Sequence, residues 1–133
     1  MIDKNKQKEL VNAAISVRQE AHAPYSNYKV AAALLCADGE IVCGVNVESS
    51  SYGLSVCAER NAIATAVAKG KSDFVAMAVV SHNGVTPCGA CRQVIYDVCG
   101  NIDIILAEEN GEIKDVTDIS VLLPKAFGQK DLG

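Results

Sequence analysis

Three cysteines and one glutamate stand close together in two short fragments of the chain. The first fragment is Cys57-Ala58-Glu59-Arg60 and the second is Pro87-Cys88-Gly89-Ala90-Cys91-Arg92. Each fragment is predicted to begin a helix, where free backbone amides and the helix dipole favour negative charge and help to keep a thiol deprotonated. Thiolates at Cys57, Cys88 and Cys91 would give a tetrahedral Zn²⁺ three protein ligands and leave its fourth position to water, which is the pattern of a catalytic zinc site.

The charged side chains beside these cysteines have predicted roles of their own. Glu59 follows Cys57 by two residues and can carry a proton between zinc-bound water and a substrate. General acid–base catalysis of this kind contributes roughly 10²–10⁴-fold to a rate. A glutamate in the first turn of a helix can instead simply complement the helix dipole, but the neighbouring cysteines favour the catalytic interpretation. Arg60 is predicted to offset the charge of the thiolates, and Arg92 could do the same; the alternative for either arginine is a solvated surface side chain.

Other interpretations of the cysteines are weaker. A redox protein using Cys88 and Cys91 would need neither a third cysteine nor a glutamate, and a structural zinc site would need four protein ligands. His22 and His82 lie outside both fragments. The remaining cysteines are predicted to be small, buried apolar side chains. They are Cys36, Cys43 and Cys99.

The elements that must position these residues follow from the pattern of apolar side chains. A first amphipathic helix is predicted from Lys4 to about Ala21, and Asp38-Gly39 between two β-rich runs predicts a hairpin. A short helical turn is predicted within Val116 to Phe127. The predicted strands are Lys29 to Cys36, Ile41 to Val47, Val75 to Val80 and Ile102 to Ala107, and the other helices are Cys57 to Lys69 and Gly89 to Val98.

The order of these elements predicts an α/β fold. From residue 41 to residue 107 strands and helices alternate, which indicates β-α-β crossovers and parallel strands. Consecutive parallel strands bring the starts of the helices that follow them to the same edge of the sheet. We therefore expect the three cysteines, which stand at these helix starts, to meet there. Both alternating sets of side chains in the strand Lys29 to Cys36 are apolar, which indicates a sheet covered on both faces. The expected architecture is a mixed five-stranded sheet between helices.

Length and composition limit the remaining possibilities. The chain has 133 residues, 50% of them hydrophobic, which fits one compact domain spanning residues 1–133. A net charge of −4 argues against a protein that binds nucleic acid. The longest apolar runs are far shorter than the roughly 20 residues of a membrane helix, and the charged amino-terminal residues do not resemble a signal peptide. We therefore expect a cytoplasmic protein that acts on a small molecule, with neither a nucleic acid nor a membrane as its partner.

Five fragments of the chain, taken in order, resemble a single family. The combination is similar to the small homotetrameric zinc-dependent cytidine deaminases, and the resemblance covers nearly the whole chain. Blasticidin S-type deaminases share the two cysteine fragments and are the alternative, but Asn46-Val47-Glu48 and Arg60 favour the cytidine branch. The five fragments are Ala23-Pro24-Tyr25-Ser26, Asn46-Val47-Glu48, Cys57-Ala58-Glu59-Arg60, Pro87 to Val94, and Leu122-Leu123-Pro124 with Phe127-Gly128.

The resemblance implies a reaction and a cofactor. Members of this family hydrolyse cytidine and 2′-deoxycytidine to uridine and 2′-deoxyuridine with release of ammonia, a step of pyrimidine salvage. The implied fold is the three-layer cytidine deaminase fold, with one Zn²⁺ per chain held by Cys57, Cys88 and Cys91. Zinc-bound hydroxide would attack C4 of the base while Glu59 shuttles protons to N3 and to the departing amine, and Arg60 would support the thiolates.

The resemblance also implies the residues that bind substrate. Asn46 and Glu48 would bind the 3′-hydroxyl of the ribose. Tyr28 stands near the base where the family usually has phenylalanine, and the backbone of Ala58 would meet the amide edge of the base. Ser50 and two aromatic residues match positions that reach the active site of a neighbouring subunit, so the pocket would be completed only in a homotetramer. The aromatic residues are Tyr52 and Phe127.

Overall fold

A computed structural model describes residues 2–133, which form four α-helices and five strands. Among these residues no helix combines the length and the apolar content that crossing a bilayer would require. The helices are α1 (Lys4–Arg18), α2 (Ala58–Ala68), α3 (Gly89–Cys99) and α4 (Ile119–Leu122). The strands are β1 (Ala31–Cys36), β2 (Ile41–Val45), β3 (Phe74–Ser81), β4 (Asp103–Glu108) and β5 (Ile113–Asp118).

The five strands form one mixed sheet in the order β2-β1-β3-β4-β5. Strands β3 and β4 are parallel, and every other neighbouring pair is antiparallel. Strand β2 therefore points in the same direction as β3 and β4, as predicted, although β1 lies between β2 and β3. The predicted α/β architecture with a mixed five-stranded sheet is confirmed.

Helices cover both faces of this sheet. Helix α1 packs on one face against β1, β2 and β3, and α2 packs on the other face with α3 beside it. Alternate residues of β1 supply the two cores: Ala31, Ala33 and Leu35 face α1, whereas Ala32 and Leu34 belong to the core under α2. A strand with two apolar faces thus lies where the sequence predicted it, between two helical layers.

The hairpin strands are shorter than predicted, and beyond their ends a side chain takes part in the hydrogen bonding beside one backbone bond, from the Asn46 amide to the Val30 carbonyl. Strand β1 begins at Ala31 and β2 ends at Val45, two residues inside each predicted limit. Just beyond the strands, Asn46 Oδ1 accepts from the Val30 amide at 2.8 Å. Asn46 Nδ2 donates to the Tyr28 carbonyl, also at 2.8 Å. Helix α1 likewise ends at Arg18 rather than near Ala21, because the chain passes there into tight turns with bonds to the third preceding residue.

The fifth strand lies in a stretch where no strand was predicted from the sequence. Strand β5 pairs antiparallel with β4 after a turn in which Gly111 has a φ of +93°. The short helical turn predicted in the tail is present as α4. Strand β5 therefore occupies part of the predicted tail and forms one edge of the sheet, at the end opposite β2.

Candidate metal centre and substrate pocket

Helices α2 and α3 bring the three cysteine sulfurs together at their first turns. Cys57 is the N-cap residue of α2, Cys88 is the N-cap residue of α3, and Cys91 lies in the first turn of α3. The three Sγ atoms lie within 4.8 Å of one another, and Cys57 Sγ is 3.8 Å from Cys88 Sγ. Sulfurs bound at about 2.3 Å to one tetrahedral zinc lie about 3.8 Å apart, so this cluster fits Zn²⁺.

The chain itself stabilises negative charge on this cluster. Arg60 Nη2 donates to Cys57 Sγ at 3.7 Å. Hydrogen bonds from Cys91 and Arg60 lower the pKa of Cys57 to about 5. The hydrogen bond to Cys57, together with burial, raises the pKa of Cys91. One sulfur anion is therefore already stabilised at neutral pH, and Arg60 lies where the sequence predicted it, beside that sulfur.

Arg92 has a different position from the one considered for it in the sequence. Its Nε donates to the Pro87 carbonyl at 2.8 Å and its Nη1 donates to the Leu122 carbonyl at 2.9 Å. Its Nη2 donates to Thr86 Oγ1 at 2.9 Å. Arg92 thus fastens the loop that leads into Cys88 and connects this loop to α4.

Glu59 lies in the first turn of α2 and is 4% exposed. Burial raises the pKa of its carboxyl above the ordinary range of a glutamate. The carboxyl therefore keeps a proton to higher pH than it would in water. Its position at the wall of a cavity that also contains two of the cysteines suits a group that exchanges protons with a bound molecule.

A cavity of about 530 Å³ lies beside the cysteine cluster, a size suited to a small organic molecule. The segment before β1, the end of β2, the start of α2 and the loop after β3 form its walls. Seven predicted site residues meet here, whereas Cys91 and Arg60 are not among the residues that line the cavity. The lining residues are Ser26, Tyr28, Val30, Asn46, Glu48, Cys57, Ala58, Glu59, Val79, Ser81, Val85, Thr86 and Cys88.

Glu48 has structural partners within the chain, as Asn46 does. Glu48 Oε1 accepts from the Tyr25 and Ser26 amides at 3.1 Å each, and Oε2 accepts from the Ser26 hydroxyl. These bonds lower the pKa of Glu48, with the Ser26 side chain as the main cause. Together with the bonds of Asn46 to Tyr28 and Val30, they fix the segment before β1 as one wall of the cavity.

Comparison with known proteins agrees with this geometry. The model of the cytidine and deoxycytidylate deaminase zinc-binding region matches residues 4–107 of the chain. The chain belongs to this deaminase family. The predicted family membership is therefore confirmed, and the matched region contains all three cysteines and Glu59.

Individual members of the deaminase family are similar over most of their length. The cytidine deaminase of Halalkalibacterium halodurans is 44% identical over 126 residues, which cover 92% of this chain and 95% of that protein. The crystal structure of cytidine deaminase from Burkholderia pseudomallei is 43% identical, with a TM-score of 0.86, and covers 95% of this chain and 100% of that one. A blasticidin-S deaminase of Bacillus cereus is more distant: it is 34% identical over 112 residues, covering 77% of this chain and 79% of that protein.

Two of the residues predicted for the deaminase site lie outside the cavity of their own chain. Tyr52 is 76% exposed and makes an edge contact with Tyr25, the ring centroids being 6.2 Å apart. Phe127 is 59% exposed and lines a separate groove beside Tyr96. Their assignment to a neighbouring subunit's site stays a prediction.

Sequence reasoning missed the loop after β3, which forms one wall of the deaminase cavity. Ser81 is 1% exposed, ends β3, and accepts the Gly84 amide at 2.9 Å on its Oγ. Its position at the carboxyl end of a parallel strand was a usable signal, because α/β sheets bind ligands at that edge. Val85 and Thr86 carried no such signal, because their place in the wall depends on how the loop folds.

Proposed function

We propose that the chain hydrolyses cytidine and 2′-deoxycytidine to uridine and 2′-deoxyuridine, releasing ammonia. The main support is one observation: in a member of the deaminase family, a buried glutamate and a zinc-compatible cysteine cluster adjoin a single cavity of small-molecule size. The higher identity and coverage of the cytidine deaminases, compared with the blasticidin-S deaminase, favour cytidine as the substrate.

Three cysteines and Glu59 would carry the chemistry. Cys57, Cys88 and Cys91 would hold Zn²⁺, which when bound supplies the Lewis acidity that makes water a nucleophile near neutral pH. Glu59 would take up a proton inside the cavity and deliver protons to N3 of the base and to the amino group leaving C4. Arg60 would hold the Cys57 sulfur and offset its charge through the 3.7 Å contact.

Asn46 and Glu48 would bind the ribose 3′-hydroxyl with the hydrogen-bonding capacity that the fold leaves them. Asn46 uses one N–H and one lone pair of its amide on the backbone, so a second N–H and a second lone pair remain. Glu48 Oε2 accepts only the Ser26 hydroxyl among its described bonds, so it can accept a second hydroxyl. Donor and acceptor would thus face the sugar from one wall.

The base would lie between Tyr28 and the start of α2. Tyr28 offers an aromatic ring at the cavity wall, and Ala58 is the first residue of α2. The first amides of a helix have no partner inside the helix, so the Ala58 backbone can meet the amide edge of the base.

Assembly would complete the pocket. We propose a homotetramer in which Tyr52 and Phe127 reach the cavity of a neighbouring subunit, because both aromatic rings are more than half exposed. We also propose that the protein acts in the cytoplasm, in nucleoside salvage.

A substrate panel with matched variants tests the activity. Zinc-loaded protein should release ammonia from cytidine and deoxycytidine, with the absorbance change of cytidine loss, and should act poorly on cytosine, CMP and blasticidin S. Glu59→Gln should keep its zinc but lose roughly 10²–10⁴-fold in kcat, because the proton carrier is gone. Glu9→Gln makes the same chemical change on the exposed face of α1 and should turn over like the parent.

Two outcomes would contradict the proposal. Preferential turnover of blasticidin S would move the chain to the alternative branch of the family. Near-parental activity in Glu59→Gln would remove Glu59 from the reaction, whatever the substrate.

A further inference from the structure

A hydrogen bond joins two walls of the cavity that are far apart in the chain. The Tyr28 hydroxyl donates to Asn83 Oδ1 at 2.5 Å, across 55 residues of sequence. Tyr28 belongs to the segment before β1, and Asn83 belongs to the loop between β3 and α3. Both of these segments contribute residues to the lining of the cavity.

Tyr28 is held firmly enough to serve as an anchor. Its backbone amide donates to Ser26 Oγ at 3.0 Å, and its carbonyl accepts from Asn46 Nδ2 at 2.8 Å. Asn46 is itself buried, with 9% of its surface exposed. The backbone on both sides of the Tyr28 ring is therefore fixed before the hydroxyl reaches the loop.

The loop from His82 to Thr86 is fastened at its two ends. At its start, Ser81 Oγ accepts the amides of Gly84 and Val85, at 2.9 and 3.4 Å. At its far end, Arg92 binds Thr86 Oγ1 and the Pro87 carbonyl. In the middle of the loop Asn83 and Val85 are exposed, and Asn83 Oδ1 accepts from the Tyr28 hydroxyl at 2.5 Å and from the Ser81 hydroxyl at 3.5 Å.

We propose that Tyr28 and Asn83 form a latch that positions the loop as the outer wall of the substrate pocket. With the latch closed, Val85 and Thr86 line the same cavity as Tyr28. Tyr28 and Asn83 are positioning residues in this respect, because they act through the loop and not on the reacting atoms. The role of the latch in nucleoside binding rests on the proposed function.

The position of the latch determines which kinetic constant it affects. Arg92 fastens Thr86 and Pro87 independently, so loosening Asn83 leaves Cys88 and the other cysteines in place. Substrate and transition state should lose the same contacts with the loop. Loss of contacts common to both raises KM and leaves kcat unchanged.

Two single variants and their combination test this coupling. Tyr28→Phe keeps the ring and removes only the hydroxyl, and Asn83→Ala removes the acceptor. In the zinc-loaded protein each should raise KM for cytidine about two- to tenfold, the range expected for one neutral hydrogen bond, with kcat changed by less than about twofold. The double variant should be no worse than Asn83→Ala alone, since both changes break the Tyr28–Asn83 bond and Asn83→Ala additionally removes the 3.5 Å hydrogen bond from the Ser81 hydroxyl. Tyr96→Phe, a matched removal of a hydroxyl outside the cavity, should leave both constants unchanged.

Hydrogen exchange gives a readout that does not depend on turnover. In the zinc-loaded protein without substrate, amides of residues 82–86 should exchange faster in Tyr28→Phe and in Asn83→Ala than in the parent, while Tyr96→Phe leaves them unchanged. If the parent fails to deaminate cytidine but the loop loosens in both variants, the proposed function is wrong and the latch stands. If the parent is active and neither the exchange nor KM changes, or the two single effects add, the latch is wrong.

Discussion

Two cysteines occupy helix N-cap positions that in most helices belong to residues with oxygen side chains. Cys57 caps α2 and Cys88 caps α3, and neither side chain bonds to a backbone amide of its helix. Replacing a good N-cap residue costs about 0.5–2 kcal/mol of stability. The two helices lack this capping stabilisation. Their N-cap cysteines instead bring their sulfur atoms to within 3.8 Å of each other. Binding a metal there would offset the loss.

Removing one sulfur tests the metal centre directly. Cys88→Ala leaves two protein ligands, so we expect less than about a tenth of the zinc that the parent retains, and a lower Tm than the zinc-loaded parent. Metal content per chain after dialysis, measured by mass spectrometry, checks this expectation. Cys43→Ala is the matched control, because its half-buried thiol lies outside the cluster, and it should retain zinc fully. Equal zinc in both variants would contradict the proposed ligand set.

Residue type and spacing predicted that the cysteines and Glu59 come together, but they did not predict the contacts that form only once the chain has folded. The cysteines and Glu59 could be found because each stands at a fixed place in the first turn of a helix. The bond from Tyr28 to Asn83 could not, because it depends on two loops that meet only after the sheet has formed. The bonds that tie Glu48 to the Tyr25 and Ser26 amides are of the same kind.

At the scale of elements, one glycine decides how closely α2 approaches the sheet. A Cβ at Gly44 would lie 2.3 Å from the Ala62 nitrogen and 2.6 Å from the Ala58 carbonyl oxygen. Both are backbone atoms, so a side chain on β2 would push α2 away. Because the first turn of α2 carries Cys57 and Glu59, this close contact also places the site.

Gly44→Ala should therefore lower the stability of the fold and displace the cysteine cluster. We expect a loss of about 2–3 kcal/mol in the free energy of unfolding, measured by urea denaturation of the metal-free chain, and weaker zinc retention. Gly53→Ala is the control, since a Cβ there meets nothing within 4 Å, and it should change the unfolding free energy by less than about 1 kcal/mol. If Gly44→Ala unfolds like its parent and keeps its zinc, the close packing of α2 on β2 does not place the site.

The helices and most of the strands were predictable from the sequence, whereas the order in which the strands pair in the sheet was not. Helical periodicity and the Asp38-Gly39 turn are local signals, and both led to correct elements. The insertion of β1 between β2 and β3 is a long-range pairing that no local pattern encodes. Strand β5 had a turn signal in Asn110-Gly111, but its alternation is broken. Within β5, Ile113 and Asp115 pair with two successive residues of β4, so Lys114 between them is left unpaired as a bulge.

At the scale of the whole molecule, the pocket and the exposed aromatic residues are separate within one chain. The predicted catalytic residue Glu59 lines the cavity. Tyr52 lies in a neighbouring depression that shares Ser26 and Glu48 with the cavity, and Phe127 lies in a separate groove. A monomer would leave both rings in water and the cavity without them. In the proposed homotetramer these side chains would reach a neighbouring cavity. Two different variants could then complement each other within one assembly, which monomers cannot do.

Mixing two impaired chains should restore activity if Phe127 serves a neighbouring site. Phe127→Ala should lower kcat/KM about tenfold, the scale of one lost aromatic contact, and Glu59→Gln should abolish most turnover. In co-expressed hybrids, a site can take Glu59 from one chain and Phe127 from its neighbour. Random mixing gives about a quarter of the sites both groups, so turnover should exceed the average of the two separate variants.

A second hybrid provides the control for this experiment. Glu59→Gln mixed with Cys88→Ala should show no recovery, because both lesions fall in the site that a single chain supplies. Native mass spectrometry of each mixture confirms that hybrids have formed and gives the number of chains. Hybrids that form but turn over no faster than the average of their parents would place Phe127 outside any neighbouring site, and the pocket would then have to bind its nucleoside with the residues of one chain.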